Sequence, residues 1–369
     1  MRQVLLLLDS FVLFGRERGN IDVIEYLRSR EQSVLVAVNG DLGGENLGSH
    51  LRTLDIPWLS MSFHDRLGRD TTIRGWWAAA MAIAKANCQM AMLLIRRPTA
   101  MIQISNPQTL MNFLPLLWLI RTPVVFRCGD TPVATTKAHR WLWKVCFRRV
   151  NKIVPISKHV KKCLIALGGP SERIEVIYSR PFYRQAIDTF RAPKKTADVV
   201  LGYVGQLESH KGIDHLLEAC ARLVSSGCSI QLWVAGRTTE FWQQLCVRYT
   251  SAKWLCDLGF VSDTQGFYSA IDLLVVPSVC EEALGGVVLE AKEGATASVV
   301  YPRGGLPEMI RQGVDGWICG GPNVNSLVDA LKGLCGDPQK IHAMGQSAKA
   351  SVKGFNEQFE RGWSKVYAL

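Results

Sequence analysis

Val199-Val-Leu-Gly-Tyr-Val-Gly205-Gln206-Leu-Glu-Ser-His-Lys211-Gly212-Ile213 reads as a strand, a glycine loop and the start of a helix. Val199–Val204 is the strand, Gly205 ends it, and Ile213–Leu223 is the helix. Glycine at the turn lets backbone amides approach an anion closely. The helix N-terminus beyond it adds a partial positive charge, and Lys211 adds a full one. That combination suits a diphosphate, although an ordinary strand-to-helix turn shows the same residues.

The same alternation continues in both directions. Downstream, strands are expected at Ile230–Ala235, Trp254–Leu258, Leu273–Val276, Ser298–Tyr301 and Trp317–Cys319. Helices are expected between them at Glu240–Tyr249, Asp263–Ile271, Gly286–Lys292 and Asn325–Cys335. Upstream, strands are expected at Val4–Leu8, Ser33–Val38, Met101–Ile104, Pro123–Phe126, Lys152–Ile156 and Ile174–Ile177, with helices at Ile21–Arg30, Trp76–Ala86 and Lys158–Leu167. Strands alternating with helices imply parallel pairing, so each half is an α/β, doubly wound, Rossmann-like sheet. At roughly 100–200 residues per domain, 369 residues suit two domains. The linker is placed at Phe182–Lys195, where periodicity fades, giving domains at 1–182 and 196–350 and a C-terminal helix within 351–369.

A net charge of +11 favours anionic partners without choosing among nucleotide phosphates, lipid headgroups and nucleic acid. The eleven cysteines form no Cys-x-x-Cys pair and have no histidine cluster beside them, which argues against a zinc site or a disulfide framework. Free, mostly buried thiols and a cytoplasmic location are expected. Met1–Asp9 is too briefly apolar for a signal peptide and reads as a first strand. Arg96, Arg97, Pro98, Asn106, Pro107, Pro115 and Arg121 interrupt the apolar region Met90–Phe126, so no spanning helix is expected.

Two more motifs follow in the second half. In Glu282-Ala-Leu284-Gly285-Gly286-Val287-Val-Leu-Glu290, two carboxylates flank one helix start. A buried carboxylate accepts two hydroxyl hydrogen bonds, as a sugar or ribose offers, and the glycines leave amides free for phosphate. Gly304-Gly305-Leu-Pro307-Glu308 and Asp315-Gly316 read as turns when taken alone. Jointly with Leu258-Gly259-Phe260, Ala270-Ile-Asp272 and Pro277-Ser278, these motifs resemble the family-4 retaining glycosyltransferases over roughly residues 200–320.

The resemblance implies two Rossmann-like domains facing across a cleft (the GT-B fold) and transfer of a sugar from a nucleotide-diphosphate donor with retention at the anomeric carbon. It implies that Lys211 contacts the donor diphosphate, Glu290 the ribose and Glu282 the transferred sugar. Backbone at Gly205 and Gln206 and across Leu284, Gly285, Gly286 and Val287 would hold phosphate or sugar, and Gly259-Phe260 would line the base pocket. The nucleotide-sugar is the substrate, with no further cofactor and no metal; no Asp-x-Asp is present. The C-terminal helix near Asn356–Tyr367 would pack back on the N-terminal domain.

The chain departs from the family pattern in places. Gln206 stands where arginine is common, which removes one cation from the diphosphate unless Arg16, Arg18 or Arg237 compensates. Where a histidine often follows the Val124–Phe126 strand, the chain reads Arg127-Cys128-Gly129-Asp130. Asp130, at a strand's carboxyl end, is carried as a catalytic candidate beside Lys211 and Glu282, although a capping aspartate reads equally well.

From Thr131 to Ser171 there is no acidic residue, and Lys137, Arg140, Lys144 and Arg148 share one helix face with Trp141 and Trp143 interleaved. This suits a peripheral position on the inner face of an anionic membrane and a glycan or lipid-linked acceptor, as well as a solvated face with tryptophans in the core. No nucleic-acid module accompanies it. Two alternatives stand beside the transferase: a nucleotide-sugar epimerase of the same fold, and a catalytically weak nucleotide-sugar-binding protein.

Overall fold

A computed structural model describes residues 3–9, 15–40, 45–63, 73–181 and 189–368. The chain forms two compact units, Met1–Ser179 with Gln358–Leu369, and Arg180–Glu357. Part of the expected linker, residues 182–188, lies outside the described residues.

The first unit contains strands β1 (Gln3–Leu8), β2 (Val34–Asn39), β3 (Trp58–Met61), β4 (Thr99–Ile104), β5 (Val124–Cys128) and β6 (Lys152–Pro155). Its helices are α1 (Gly15–Ser29), α2 (Glu45–Thr53), α3 (Ile73–Arg96), α4 (Pro107–Leu119), α5 (Lys137–Arg149) and α6 (Lys158–Ala166). The sheet is parallel in the order β3-β2-β1-β4-β5-β6. Its central strands are unbroken apolar runs, Val4–Leu8 and Val34–Val38, because helices cover both faces of a parallel sheet. Asn106, Thr136 and Ser157 cap α4, α5 and α6 by accepting hydrogen bonds from the first-turn amides, which explains where those helices begin.

The second unit repeats the plan with β7 (Val199–Val204), β8 (Ile230–Ala235), β9 (Leu255–Asp257), β10 (Leu273–Val276), β11 (Ala297–Val300) and β12 (Gly316–Ile318). Its helices are α7 (Ile213–Ser225), α8 (Glu240–Cys246), α9 (Thr264–Ala270), α10 (Gly286–Glu293), α11 (Val324–Cys335) and the first part of α12 (Pro338–Tyr367). The order β12-β11-β10-β7-β8-β9 reverses direction between β10 and β7. Ligands of doubly wound sheets bind outside the carboxyl ends of strands at such a reversal, so the loops after β7 and β10 occupy the favoured place.

The last part of α12 belongs to the first unit. Phe359 meets Tyr26 edge-on at 6.0 Å, Trp363 is buried among the β1 and β2 side chains, and the Tyr367 hydroxyl donates to Gln103.

Several expectations need correction. The alanine-rich helix does not stop at Ala86 but runs from Ile73 to Arg96, and its Trp76–Arg96 stretch is long and apolar enough to cross a membrane by length and composition. Lys85, Asn87 and Gln89 dilute the apolar run without breaking the helix; only Pro98 does that. Ile174–Ile177 is no strand: Glu175 and Ile177 donate backbone hydrogen bonds to Ile153 and Pro155, but the only pairing is a single bridge. No disulfide forms among the described residues, but only Cys128, Cys146, Cys220 and Cys319 are buried, six cysteines are half-buried and Cys88 is exposed. Helix α2 and strand β3 add to the expected elements: Trp58–Met61 is a short edge strand with little alternation.

Candidate functional site

The glycine loop after β7 is held against the loop after β10. Gly212 has a φ of +69°, and a Cβ there would stand 1.9 Å from the Pro277 carbonyl oxygen, so only glycine fits. The His210 carbonyl accepts the amides of Val279 and Cys280, each at 3.1 Å. This clasp delivers Lys211, whose Nζ lies 2.6 Å from Glu282 Oε1, and the Ser278 hydroxyl donates to the same oxygen at 2.7 Å. Both charged side chains remain partly open to solvent, at 24% and 20%.

The third motif closes on the second. Gly305 N–H donates to the Glu282 carbonyl at 2.7 Å. Gly304, at φ +58°, passes so close that a Cβ would lie 2.0 Å from that same oxygen. Three motifs far apart in the sequence therefore form one interlocked turn cluster around Lys211 and Glu282. Gly304→Ala is expected to cost about 2 kcal/mol or more, because strained backbone and a collision add. A denaturant melt checks it; an unchanged midpoint would separate Gly304 from the cluster.

Gly285 caps α10 without a side-chain hydrogen bond, leaving the helix's first amides and its positive end available. Gly286 and Glu290 are four residues apart and share a face of α10. Glu290 is half-buried and accepts a hydrogen bond from the Tyr268 hydroxyl at 3.1 Å, so it is not a freely solvated helix glutamate. Leu284 is buried and Val287 half-buried at the same helix start.

Gly259 and Phe260 follow β9. The Gly259 carbonyl accepts from Gly236 N–H at 2.8 Å, and Asp257 braces the turn by accepting the Gly259 amide at 3.0 Å. Phe260 is exposed, and the Arg237 guanidinium lies 5.0 Å from its ring centre. Arg237 thus sits over the expected base-binding segment. Gln206 is exposed, and its carbonyl accepts the Tyr203 hydroxyl at 2.6 Å. Gly205, beside it, donates its amide to the Ala235 carbonyl at 3.0 Å.

Asp130 belongs to the first unit. Arg16 reaches it at 2.9 Å, and also reaches Asp9 at 3.0 Å and Glu17 at 2.9 Å. Arg16's charge is therefore held by three carboxylates. Burial pushes the Glu17 carboxyl above its ordinary range despite Arg16, and burial pushes the Cys128 thiol up. Arg127 is buried beneath, donating to Ser179 at 3.2 Å.

Sequence reasoning missed Tyr268, Asp257 and the buried pair Lys292–Asp315, whose Nζ and Oδ2 are 3.0 Å apart. Lys292 falls on the same helical stripe as Val288 and Leu289, the one signal that marked it as a core position.

Residues 185–351, which lie within the second unit, match the family model of glycosyl transferases group 1. An uncharacterized glycosyltransferase of Methanocaldococcus jannaschii is 26% identical over 220 residues, 56% of this chain and 56% of that protein. The match therefore spans about half the length of that curated relative. Anabaena HepE, solved in complex with UDP, superposes with a TM-score of 0.77 at 19% identity, covering 100% of both chains. A glycosyltransferase of Rickettsia africae gives 0.81 at 16% identity, covering 99% of this chain and 97% of that one. These neighbours share the GT-B fold, and the two parallel six-stranded sheets described above are that fold's architecture.

Proposed function

We propose that this chain is a retaining glycosyltransferase that binds a nucleotide-diphosphate-sugar in its second unit and transfers the sugar to a glycan or lipid-linked acceptor. One observation supports the reading: three interlocked motifs bring Lys211, Glu282 and the start of α10 to the loops that follow β7 and β10. The group 1 match over the same residues and the UDP held by a structural neighbour support it.

In this reading the Lys211 ammonium and the first amides of α10 neutralise the departing diphosphate. Glu290, oriented by Tyr268, holds the ribose hydroxyls, and Glu282 contacts the transferred sugar while steering Lys211. Phe260 and Arg237 border the base. The positive charge comes from side chains and amides, and the reaction is one of positioning and charge stabilisation. Asp130, on the first unit, is assigned to the acceptor side. No protein nucleophile is assigned.

Thermal-shift screening against UDP, other nucleoside diphosphates and their sugar conjugates tests the donor site, because a tight ligand raises the melting temperature by mass action. UDP is the first probe. Stabilisation by none of them sinks the proposal. Gln206→Arg restores a second cation beside the diphosphate and is expected to tighten nucleotide binding about tenfold. Calorimetry measures it, and weaker binding would show that Gln206 is not at the diphosphate.

Gln206 also motivates a second reading, a protein that binds nucleotide-sugar and turns it over poorly. Nucleotide binding without transfer to any acceptor favours it. The epimerase alternative gains no support from the relatives.

A further inference from the structure

Helix α3 is amphipathic the wrong way round for a helix facing water. Its docked side carries Ala79, Ala86 and Met90, all buried, and Asn87, which accepts the Leu116 amide and donates to the Asn112 carbonyl of α4. Its outer side presents Trp77, Met81, Ala84, Cys88, Met92 and Ile95, spaced three or four apart along one stripe, all exposed. Trp77 is 70% and Ile95 82% open. A helix covered by water carries polar residues there.

The surface continues beyond α3. α3 packs on α4 and α4 on α5, so the three lie side by side along one flank of the first sheet. α4 ends in exposed Trp118 and Leu119, and α5 exposes Trp141 (65%) while burying Trp143 in the core. The two tryptophans of the basic stretch thus divide, one inward and one outward. Beside Trp141, an open pocket of about 410 Å³ is lined by Thr135, Thr136, Lys137, Arg140 and Lys144 at the start of α5.

Charge selects the occupant. Between Thr71 and Ser171 the chain has fifteen lysines and arginines and one acidic residue, Asp130, a net of +14 against +11 for the whole chain. The rest of the molecule is therefore slightly acidic, and eight of the fifteen cations lie on the helices of this flank, three on α3 and five on α5, with no acidic residue on α3, α4 or α5. A second copy of the chain would bring one such cationic face against another, which costs electrostatic energy. An anionic phospholipid surface offers what both features need: headgroups for the lysines and arginines, and an acyl boundary for the tryptophans and the apolar stripe. Because the inner side of α3 is bonded to α4, the helix lies in the plane of the interface instead of crossing it.

We propose that the α3–α4–α5 flank is a bilayer-docking surface, with the outer stripe of α3 embedded at the headgroup–acyl boundary and the exposed cations of α5 bound to anionic headgroups. The proposal concerns binding to lipid and stands independently of the transferase reading.

Flotation of the full chain with vesicles of phosphatidylcholine alone, and of equal parts phosphatidylcholine and phosphatidylglycerol, tests it at low salt. Binding is expected to the anionic vesicles only. The doubly substituted variant Trp77→Ser, Met92→Ser is expected to lose about tenfold or more in vesicle affinity with an unchanged melting temperature, since both side chains face outward. Lys137→Glu with Arg140→Glu should weaken binding and flatten its salt dependence. Quenching of tryptophan fluorescence by bromine-labelled acyl chains gives a readout on the unsubstituted chain. Absence of flotation with the anionic vesicles, wild-type affinity in the Trp77/Met92 variant, or a dimer in sedimentation that those substitutions abolish would each overturn the proposal.

Discussion

Lys211→Ala and Glu290→Ala are each expected to lower sugar transfer by about 10²-fold or more, equivalent to roughly 2.7 kcal/mol of transition-state stabilisation. The Lys211 ammonium is delivered by a clasp of two loops and is aimed by Glu282 at 2.6 Å, so it is preorganised before any ligand arrives. A charge fixed in advance stabilises a leaving diphosphate without reorganisation at the moment of reaction. Glu290 acts differently. In the proposed function its carboxylate, held by Tyr268, binds the ribose hydroxyls, so its loss should raise the donor KM as well as lower kcat/KM. Both side chains are partly solvated, so neither substitution should change the melting temperature much, which separates a lost site from a lost fold. Near-normal rates in both variants would remove the donor site from this cluster.

Asp315→Ala should destabilise the second unit by about 3–5 kcal/mol, because it leaves the Lys292 ammonium buried without its carboxylate. The pair is nearly sealed, at 1% and 2% side-chain exposure. Asp315 also accepts the Arg311 amide at 2.7 Å and its guanidinium at 2.8 Å, while Lys292 donates to Ser351 on α12 at 3.2 Å. The Lys292–Asp315 pair thus ties α10, the turn before β12 and α12 together. Burial alone would push its acid up, but the Arg311 hydrogen bonds and the Lys292 charge hold it below the ordinary 3.8. A depressed carboxylate contributes stability above its unfolded value that is lost as pH falls toward the folded one, so acid unfolding should begin below about pH 4. Chemical denaturation at neutral and acid pH measures both effects. A loss under about 1 kcal/mol, or acid sensitivity unchanged in the variant, contradicts this role.

Much of the site was legible because its parts are local. Lys211, Gly212, Gly285 and Gly304 sit at turns whose residue types announce backbone needs, and the helix starts at Ile213 and Gly286 fall where the pattern placed them. The pairings were less accessible. Nothing near Glu282 in sequence specifies that its carboxylate meets a lysine seventy-one residues away, or that its carbonyl meets Gly305. Arg237 reads in sequence as a spare cation for the diphosphate, and the structure places it over Phe260. Helix α3 shows the opposite failure: its composition was on view, but polar residues on its inner side hid an exposed apolar stripe, because exposure depends on what packs against a helix.

By itself the sequence determined the alternation of strand and helix, the turn chemistry of each motif and the sign of the chain's charge, all of which follow from interactions within a few residues. Only the tertiary structure decided which loops share a sheet reversal, which lysine of the second unit is solvated and which is sealed with an aspartate, and which face of α3 is left uncovered. These depend on burial and on contacts between distant segments, and a residue's environment is not set until the chain has closed around it.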